Sequence, residues 1–152
     1  DVEEAIEKAA TDKDQNLVVE TGRTLWVRKD KESGSFSLIF GEKLLFESGS
    51  ADLVPNALTI LEILGKFLQT SAYRARIDGH SDSTPVGSGR FSSNQELSNA
   101  RAQTVLTYFT SRCGVNPRRL AMGGYGSTHP LVDENSPGGK AMNRRVEIVF
   151  DR

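Results

Sequence analysis

The first part of the chain carries short apolar runs that predict a small lead-in rich in strands. Residues 1–10 place small and apolar side chains on one helical stripe, which predicts a short amphipathic helix. Three runs, at residues 17–20, 24–28 and 35–40, have the composition of short strands and are separated by glycine and polar turns. We therefore expect a helix and three strands in this part of the chain.

A long helix and a half-buried strand follow in the middle of the chain. Apolar side chains recur at helical spacing, and Pro55 stands where the first turn of a helix tolerates a missing N–H, so we predict a helix over residues 54–69. Its apolar stripe consists of Ile60, Leu61, Leu64, Phe67 and Leu68. Residues 73–79 then alternate between apolar and charged side chains, which is the period of a strand with one buried face.

A second long helix begins after a polar loop. Ser93 and Glu96 have the spacing of a capping box, and Gly114 suits the end of the helix. The core stripe of this helix is Ala102, Val105, Leu106, Phe109 and Cys113. Residues 120–124 and 145–150 are predicted as the last two strands. Since a strand, a long crossover helix and a second strand form a right-handed βαβ unit, we expect an α/β fold with at least one parallel pair of strands.

Composition narrows the classes of function without choosing one. The 152 residues include 19 Lys and Arg against 20 Asp and Glu, so no overall field favours nucleic acid or an anionic membrane. Cys113 is the single cysteine, which excludes an internal disulfide and fits a small core residue. No apolar run approaches the roughly 20 residues that span a bilayer. The chain opens on Asp1, and we expect a fragment or processed product whose anchor lies outside it.

An arginine beside the apolar stripe of the second helix gives the first indication of a site. Arg101 lies four residues after Leu97 and four before Val105, so its guanidinium needs a partner or must reach solvent past the core. A βαβ unit places the end of strand 73–79 near the start of this helix, and Asp82 lies in the loop between them. An acid and a base at this edge predict a ligand site. A structural salt bridge between Asp82 and Arg101 is the alternative.

The stretch GHSD after the same strand leaves three further interpretations open. His80 and Asp82 could ligate a metal, although the other histidine is His129 and no cysteine or carboxylate cluster completes a set. Ser81 stands beside His80, but the sequence has no G-x-S-x-G elbow and nothing that identifies an oxyanion hole. In the third interpretation the role is structural, with His80 packed at the strand end and Asp82 capping the loop.

Five sequence blocks carry a resemblance to a known family. They are FESGSADL at 46–53, IDGHSDSTP at 77–85, SNQELSNARAQTV at 93–105, RRLAMGGYGSTHP at 118–130 and NRRVEIVF at 143–150. In this order they resemble the OmpA-like peptidoglycan-binding domain (OmpA, Pal and MotB). The resemblance covers about residues 44–151 and implies an α/β sandwich with a mixed sheet and helices packed on it. It divides the chain into a membrane-proximal lead-in at 1–43 and the domain at 44–152.

The resemblance also implies a ligand and its contacts. The domain is expected to bind the peptide stem of peptidoglycan without chemistry. Asp82 would accept the ammonium of a diaminopimelate residue, and Arg101 would pair with a carboxylate of the same zwitterion. Further groove residues implied by the resemblance are Asn94, Leu97, Arg144 and Arg145, with backbone groups near Phe46 and Glu47. Of the two adjacent arginines, one is expected to support the site and the other to make a more exposed contact. The resemblance implies no catalytic residue, cofactor or metal.

Two features narrow the resemblance to one branch of the family. The long loop between Asp82 and Leu97 and the lead-in ending LLFESGSADL are similar to the flagellar stator type (MotB) and to type VI secretion anchors, although Gln95 replaces a common Trp. Such a chain would tether a membrane complex to the cell wall from the periplasm, and a homodimer would suit it. A generic OmpA/Pal-type envelope protein is one alternative. An enzyme acting on the wall through His80, Asp82 or Glu96 is another, and it lacks a paired-carboxylate or metal arrangement.

Overall fold

Short apolar runs separated by polar turns assemble into one mixed sheet. This computed structural model describes residues 3, 4, 6, 18–20, 25–30, 32–87, 89–136 and 138–152. The strands are β1 (Val18–Glu20), β2 (Leu25–Lys29), β3 (Phe36–Gly41), β4 (Arg74–His80), β5 (Leu120–Gly124) and β6 (Arg145–Asp151). Their spatial order is β1-β2-β3-β6-β4-β5. The β4–β5 pair is parallel, as the predicted βαβ unit requires, and the other neighbours are antiparallel.

Within the described residues from 32 onwards, two long α-helices and two short ones accompany the sheet. They are α1 (Glu42–Leu45), α2 (Pro55–Gln69), α3 (Asn94–Ser111) and α4 (Gly139–Asn143). Pro55 opens α2 as predicted, and Ser93 Oγ accepts the Glu96 N–H at 3.0 Å to cap α3. The Glu96 carboxylate accepts the N–H of Ser92 at 2.9 Å, so the reciprocal half of the capping box is shifted by one residue. Gly114 adopts φ +66° just after α3, the left-handed conformation that ends many helices.

The core lies between the two long helices and one face of the sheet. Leu38 of β3 pairs in register with Ile148 of β6, which pairs with Ile77 of β4, and all three side chains are fully buried. The helices add Leu61, Leu64, Leu68, Ala102, Val105 and Phe109 to the same core. Each large apolar side chain contributes roughly 1.5–3 kcal/mol when buried, so this pattern selects the face of the sheet that meets the helices. The intervening polar residues are left on the other face.

A close approach between β4 and α3 brings the end of the strand to the start of the helix. A Cβ added to Gly79 would lie 2.2 Å from the carbonyl oxygen of Ser98, so glycine alone fits here. The residues directly after β4 therefore lie against the first turns of α3. This contact fixes the position of Asp82 relative to Arg101 in the fold.

The predicted elements are confirmed within the described residues, with bounds that shift by about one residue. The three strands of the lead-in pair into the same sheet through β3 and β6. The predicted helix at residues 1–10 lies mostly outside the described residues, of which Ile6 is helical and buried. The division between residues 43 and 44 stays a prediction. None of the helices in the described part of the chain combines the length and the apolar character of a membrane-spanning segment.

Candidate functional site

A cavity of about 590 Å³ opens beside the C-terminal end of β4 and the start of α3. Its walls come from α1, the loops that follow α1 and β4, the first turns of α3 and the residue before β6. The predicted site residues that line it are Asp82, Asn94, Leu97, Arg101 and Arg144, and Glu42 lines it as well. The edge of the sheet expected from the βαβ unit is therefore where the cavity lies.

Asp82 presents a buried carboxylate to this cavity. The residue is 4% exposed, and its Oδ1 accepts the Thr84 N–H at 3.0 Å. Its Oδ2 lies 2.5 Å from Nη1 of Arg144. The guanidinium of Arg144 also contacts Glu42, with 3.0 Å between Nε and Oε2. A buried carboxylate requires such partners, and Arg144 supplies most of the compensating charge.

Arg101 is held from the opposite side by backbone oxygens and an aromatic ring. It is 5% exposed, and its Nε donates to the carbonyl of Ser50 at 2.8 Å. Its Nη2 lies at 3.5 Å from the carbonyl of Glu47, and its guanidinium carbon lies 5.0 Å from the ring centroid of Phe46. The remaining nitrogen, Nη1, lies 3.8 Å from Oε2 of Glu42. The Arg101 side chain is therefore fixed before any ligand arrives.

Desolvation and neighbouring charges act in opposite directions on Arg101. Burial lowers the pKa of its guanidinium, the Glu42 carboxylate raises that pKa, and Arg144 lowers it. Because an arginine is not deprotonated in proteins, the buried cation requires a counter-ion. The Glu42 carboxylate is that counter-ion. The salt bridge considered between Asp82 and Arg101 is not formed, because Asp82 pairs with Arg144. We call Glu42, Asp82, Arg101 and Arg144 the cavity cluster.

The other predicted residues occupy supporting positions. Asn94 Nδ2 donates to the carbonyls of Thr84 at 2.8 Å and Asp82 at 3.3 Å, which ties the loop to the start of α3. Leu97 is buried and gives the cavity an apolar wall. Phe46 and Glu47 lie against Arg101, and the neighbouring Ser48 and Gly49 line the cavity in their place.

Arg145 is a correction to the predicted site, because the structure places it away from this cavity. It is 4% exposed, with Nε donating to Glu147 at 2.8 Å. Its other nitrogens donate to the carbonyls of Asn143 at 3.1 Å and His129 at 2.9 Å. Successive side chains of an extended chain point to opposite faces, so Arg144 and Arg145 diverge. Arg144 is therefore the more exposed of the two arginines, and Arg145 is packed within the protein.

Arg145 belongs to a second polar group on the sheet face away from α2 and α3, beside a cavity of about 380 Å³. We call this group the histidine cluster: Asp78, His80, Tyr125, His129, Arg145 and Glu147. The His80 ring stacks on Tyr125 with centroids 5.3 Å apart, and its buried Nδ1 has no hydrogen-bond partner among the described residues. Burial, followed by the charge of Arg145, lowers the pKa of His80 to about 4. His80 is therefore neutral at pH 7.

The positions of His80, Ser81 and Asp82 bear on the other chemistries considered for this stretch. His80 and Asp82 face different cavities, so they do not share a metal. Across the described ranges, no group of three His, Cys, Asp or Glu is arranged to hold a metal ion. The Ser81 hydroxyl donates to the carbonyl of Asp82 at 2.9 Å rather than to His80, so these residues do not form a nucleophile and base pair.

Glu42 is the member of the cavity cluster that sequence reasoning missed. It lies before the first of the five sequence blocks, in the short helix α1, and a single glutamate before an apolar run has no distinguishing pattern. Its position follows from the start of α1 directly after β3, where the Glu42 N–H donates to the carbonyl of Arg144 at 2.9 Å. Only the fold brings it between the two arginines.

The fold and the cavity cluster define an α/β domain that holds opposite charges at the edge of a mixed sheet. The sequence model of the OmpA family matches residues 45–144, and the chain belongs to the OmpA family. Among curated relatives, protein YtxE of Bacillus subtilis is 38% identical over 115 residues, covering 76% of this chain and 48% of that protein. Motility protein B of Helicobacter pylori is 36% identical over 110 residues, covering 70% of this chain and 42% of that protein. The chain thus spans about half the length of these relatives.

Solved structures agree with this assignment. The periplasmic domain of Helicobacter pylori MotB matches with a TM-score of 0.78 at 28% identity, covering 90% of this chain and 88% of that one. The cell wall anchor of the T6SS from Pseudomonas aeruginosa matches with a TM-score of 0.71 at 31% identity, covering 77% of this chain and 81% of that one. The peptidoglycan-associated lipoprotein of the same species is 34% identical over 103 residues, which is 68% of this chain and 58% of that protein.

Proposed function

We propose that this chain binds the peptide stem of peptidoglycan without chemistry and anchors a membrane protein or complex to the cell wall. The observation that carries the proposal is the cavity that contains the buried carboxylate of Asp82 and the buried guanidinium of Arg101. The names of two relatives support it, because one is a peptidoglycan-associated lipoprotein and the other is a cell wall anchor.

The ligand that best fits these charges is the free amino acid end of diaminopimelate. That end carries an ammonium and a carboxylate a few ångströms apart, so it matches one acid and one base in a single cavity. Charge-assisted hydrogen bonds of this kind contribute on the order of 1.5–3 kcal/mol each. Such contacts suit a monovalent affinity between about micromolar and millimolar. Many weak sites on a polymeric wall then give firm attachment.

The anchored partner is proposed to be a membrane complex such as a flagellar stator, with a type VI secretion anchor or a Pal-type envelope protein as alternatives. The similarity to the MotB periplasmic domain over most of both chains favours the stator type. In this proposal the domain works in the periplasm, its membrane segment lies outside this sequence, and a homodimer presents two wall-binding cavities. No reaction is assigned to the chain, since the cavity cluster resembles a charge-pairing site.

Titration of the chain with meso-diaminopimelate, followed by NMR, tests the ligand. The α-acetylated amide of lysine serves as the control ligand, because it keeps an ammonium and lacks a free amino acid end. We expect Asp82→Asn and Arg101→Gln each to weaken binding by at least about tenfold, the equivalent of one charge-assisted contact. Asp151→Asn and Arg74→Gln are matched controls, because they make the same changes at exposed positions outside the cavity.

Co-sedimentation with purified peptidoglycan tests the anchoring. Wild type is expected in the pellet, and the Asp82 and Arg101 variants in the supernatant. Folded Asp82→Asn and Arg101→Gln variants that sediment like wild type would refute the site. Release of soluble fragments from the wall by the wild-type chain would instead show an enzyme.

A further inference from the structure

We infer that Glu42 and Arg144 form an internal ion pair that imitates the ligand and sets the charge selectivity of the cavity. This inference rests on the proposed binding of a zwitterion between Asp82 and Arg101. Glu42 lies before the segment that the OmpA family model matches, and it lines the cavity. We call Glu42 and Arg144 the internal pair.

The charges of the cavity cluster alternate in sign along one connected row. Asp82 Oδ2 lies 2.5 Å from Arg144 Nη1, and Arg144 Nε lies 3.0 Å from Glu42 Oε2. The same Glu42 oxygen lies 3.8 Å from Nη1 of Arg101. The row therefore reads acid, base, acid, base, with Asp82 and Arg101 at its two ends.

The internal pair has the same polarity as the proposed ligand. A zwitterion between Asp82 and Arg101 must place its ammonium beside Asp82 and its carboxylate beside Arg101. Arg144 already puts a cation beside Asp82, and Glu42 puts a carboxylate beside Arg101. The side chains of the internal pair are also more exposed than those they contact, at 34% for Arg144 and 15% for Glu42 against 6% each for Asp82 and Arg101. They lie on the solvent side of the cluster, where an incoming ligand meets them.

Each member of the internal pair competes with one end of the ligand. The hydrogen bonds of Arg101 to backbone use Nε and Nη2, which leaves Nη1 to a carboxylate. Glu42 lies beside that nitrogen, so its charge repels a ligand carboxylate at the same place. Arg144 likewise holds the Oδ2 of Asp82 that a ligand ammonium would use. When the ammonium binds there, the contact of Arg144 with Glu42 keeps the displaced guanidinium paired.

Neutralising one member of the internal pair should therefore favour one end of the ligand and disfavour the other. Without the charge of Glu42, Arg101 attracts a carboxylate more strongly, while Arg144 remains on Asp82 and excludes an ammonium. Without the charge of Arg144, Asp82 is open to an ammonium, while Glu42 is left to repel a carboxylate. The two substitutions thus shift selectivity in opposite directions. A substitution that merely loosened the fold would weaken the binding of carboxylate ligands and of ammonium ligands alike.

Two blocked forms of diaminopimelate separate these effects. The diacetylated form offers only carboxylates, and the diamide offers only ammonium groups. For Glu42→Gln we expect affinity for the diacetylated form to rise about fivefold relative to the diamide, as suits a partly exposed ion pair. For Arg144→Gln we expect the opposite shift of similar size. The double variant should return the ratio to that of wild type, because both charges are then absent.

NMR titration of each variant with both blocked forms and with meso-diaminopimelate gives these ratios. Glu32→Gln is the matched control, since it makes the same change at an exposed position outside the cavity. Thermal unfolding of each variant checks the fold, and Glu42→Asp, which keeps the charge, should retain the wild-type ratio. The inference is overturned if the ratios do not shift, or if they shift in the same direction in both single variants. In either case, binding of meso-diaminopimelate by wild type still supports the proposed function. Failure of wild type to bind meso-diaminopimelate overturns both.

Discussion

The cavity cluster and the histidine cluster draw residues from the same two stretches of sequence but use them differently. Asp82 and Arg144 face the larger cavity, whereas His80 and Arg145, which lie beside them in the sequence, belong to the far face of the sheet. The side chain of Arg144 is 34% exposed and that of Arg145 is 3% exposed. The difference follows from the alternation of side chains along an extended chain. Membership of a sequence block therefore does not establish contact with a ligand.

The two clusters also differ in how their charges are balanced. In the histidine cluster, Arg145 directs its nitrogens to Glu147 and two backbone carbonyls, all within the protein. In the cavity cluster, Arg144 reaches two carboxylates from a partly exposed position. Breaking a pair inside the protein leaves an uncompensated charge, whereas breaking a pair beside an open cavity lets water reach the groups left behind. The histidine cluster should therefore govern stability, and the cavity cluster should govern binding.

Substitution of the two adjacent arginines gives the largest expected contrast. We expect Arg145→Gln to lower the free energy of unfolding by about 3–5 kcal/mol, because Glu147 is left buried without its main cation. Arg144→Gln should lower it by less, about 1–2 kcal/mol, because the Asp82 carboxylate that loses its partner lines an open cavity that water can enter. Urea unfolding followed by circular dichroism measures both changes. Equal losses of stability in the two variants would contradict the division between the clusters.

The pH dependence of stability tests the histidine cluster next. The folded pKa of His80 is about 4 against an ordinary value of 6.5, so the unfolded chain binds the proton more tightly. Stability is therefore fully present above about pH 6.5 and is lost as the pH falls towards 4, by on the order of 3 kcal/mol. His80→Phe, which keeps a ring beside Tyr125, should remove most of this loss. Urea unfolding between pH 7 and pH 4 measures it.

Other charged groups face His80 and modify this dependence. They are Asp78, His129, Arg28, Arg145 and Glu147. Burial raises the pKa of Asp78, so its protonation favours the folded state as the pH falls and opposes the effect of His80 at the acid end. The loss should consequently be steepest between about pH 6.5 and 5. A profile for His80→Phe as steep as that of wild type would assign the dependence to another group.

The fold was largely predictable from the sequence, and the cavity cluster was predictable in part. Helix α2 and strand β4 follow directly from the spacing of apolar residues, because burial of one face determines them. Asp82 and Arg101 could be predicted, because Asp82 follows a strand and Arg101 lies beside an apolar stripe. The side of the sheet to which Arg145 points could not be predicted, since it depends on where the turn before β6 ends. Glu42 could not be predicted either, because its role comes from a contact with a residue far along the chain.

The ion pair between Arg90 and Asp52 should have the smallest effect, although it lies beside the larger cavity. Its nitrogen and oxygen are 2.8 Å apart, and both side chains are 69% exposed, so water and salt screen the attraction. We expect Arg90→Gln to leave the thermal unfolding midpoint unchanged and to weaken binding of meso-diaminopimelate by less than about twofold, and only at low salt. Titration at two ionic strengths measures this. Abolished binding in the Arg90 variant would move the proposed site from the cavity cluster to the loop that carries Arg90.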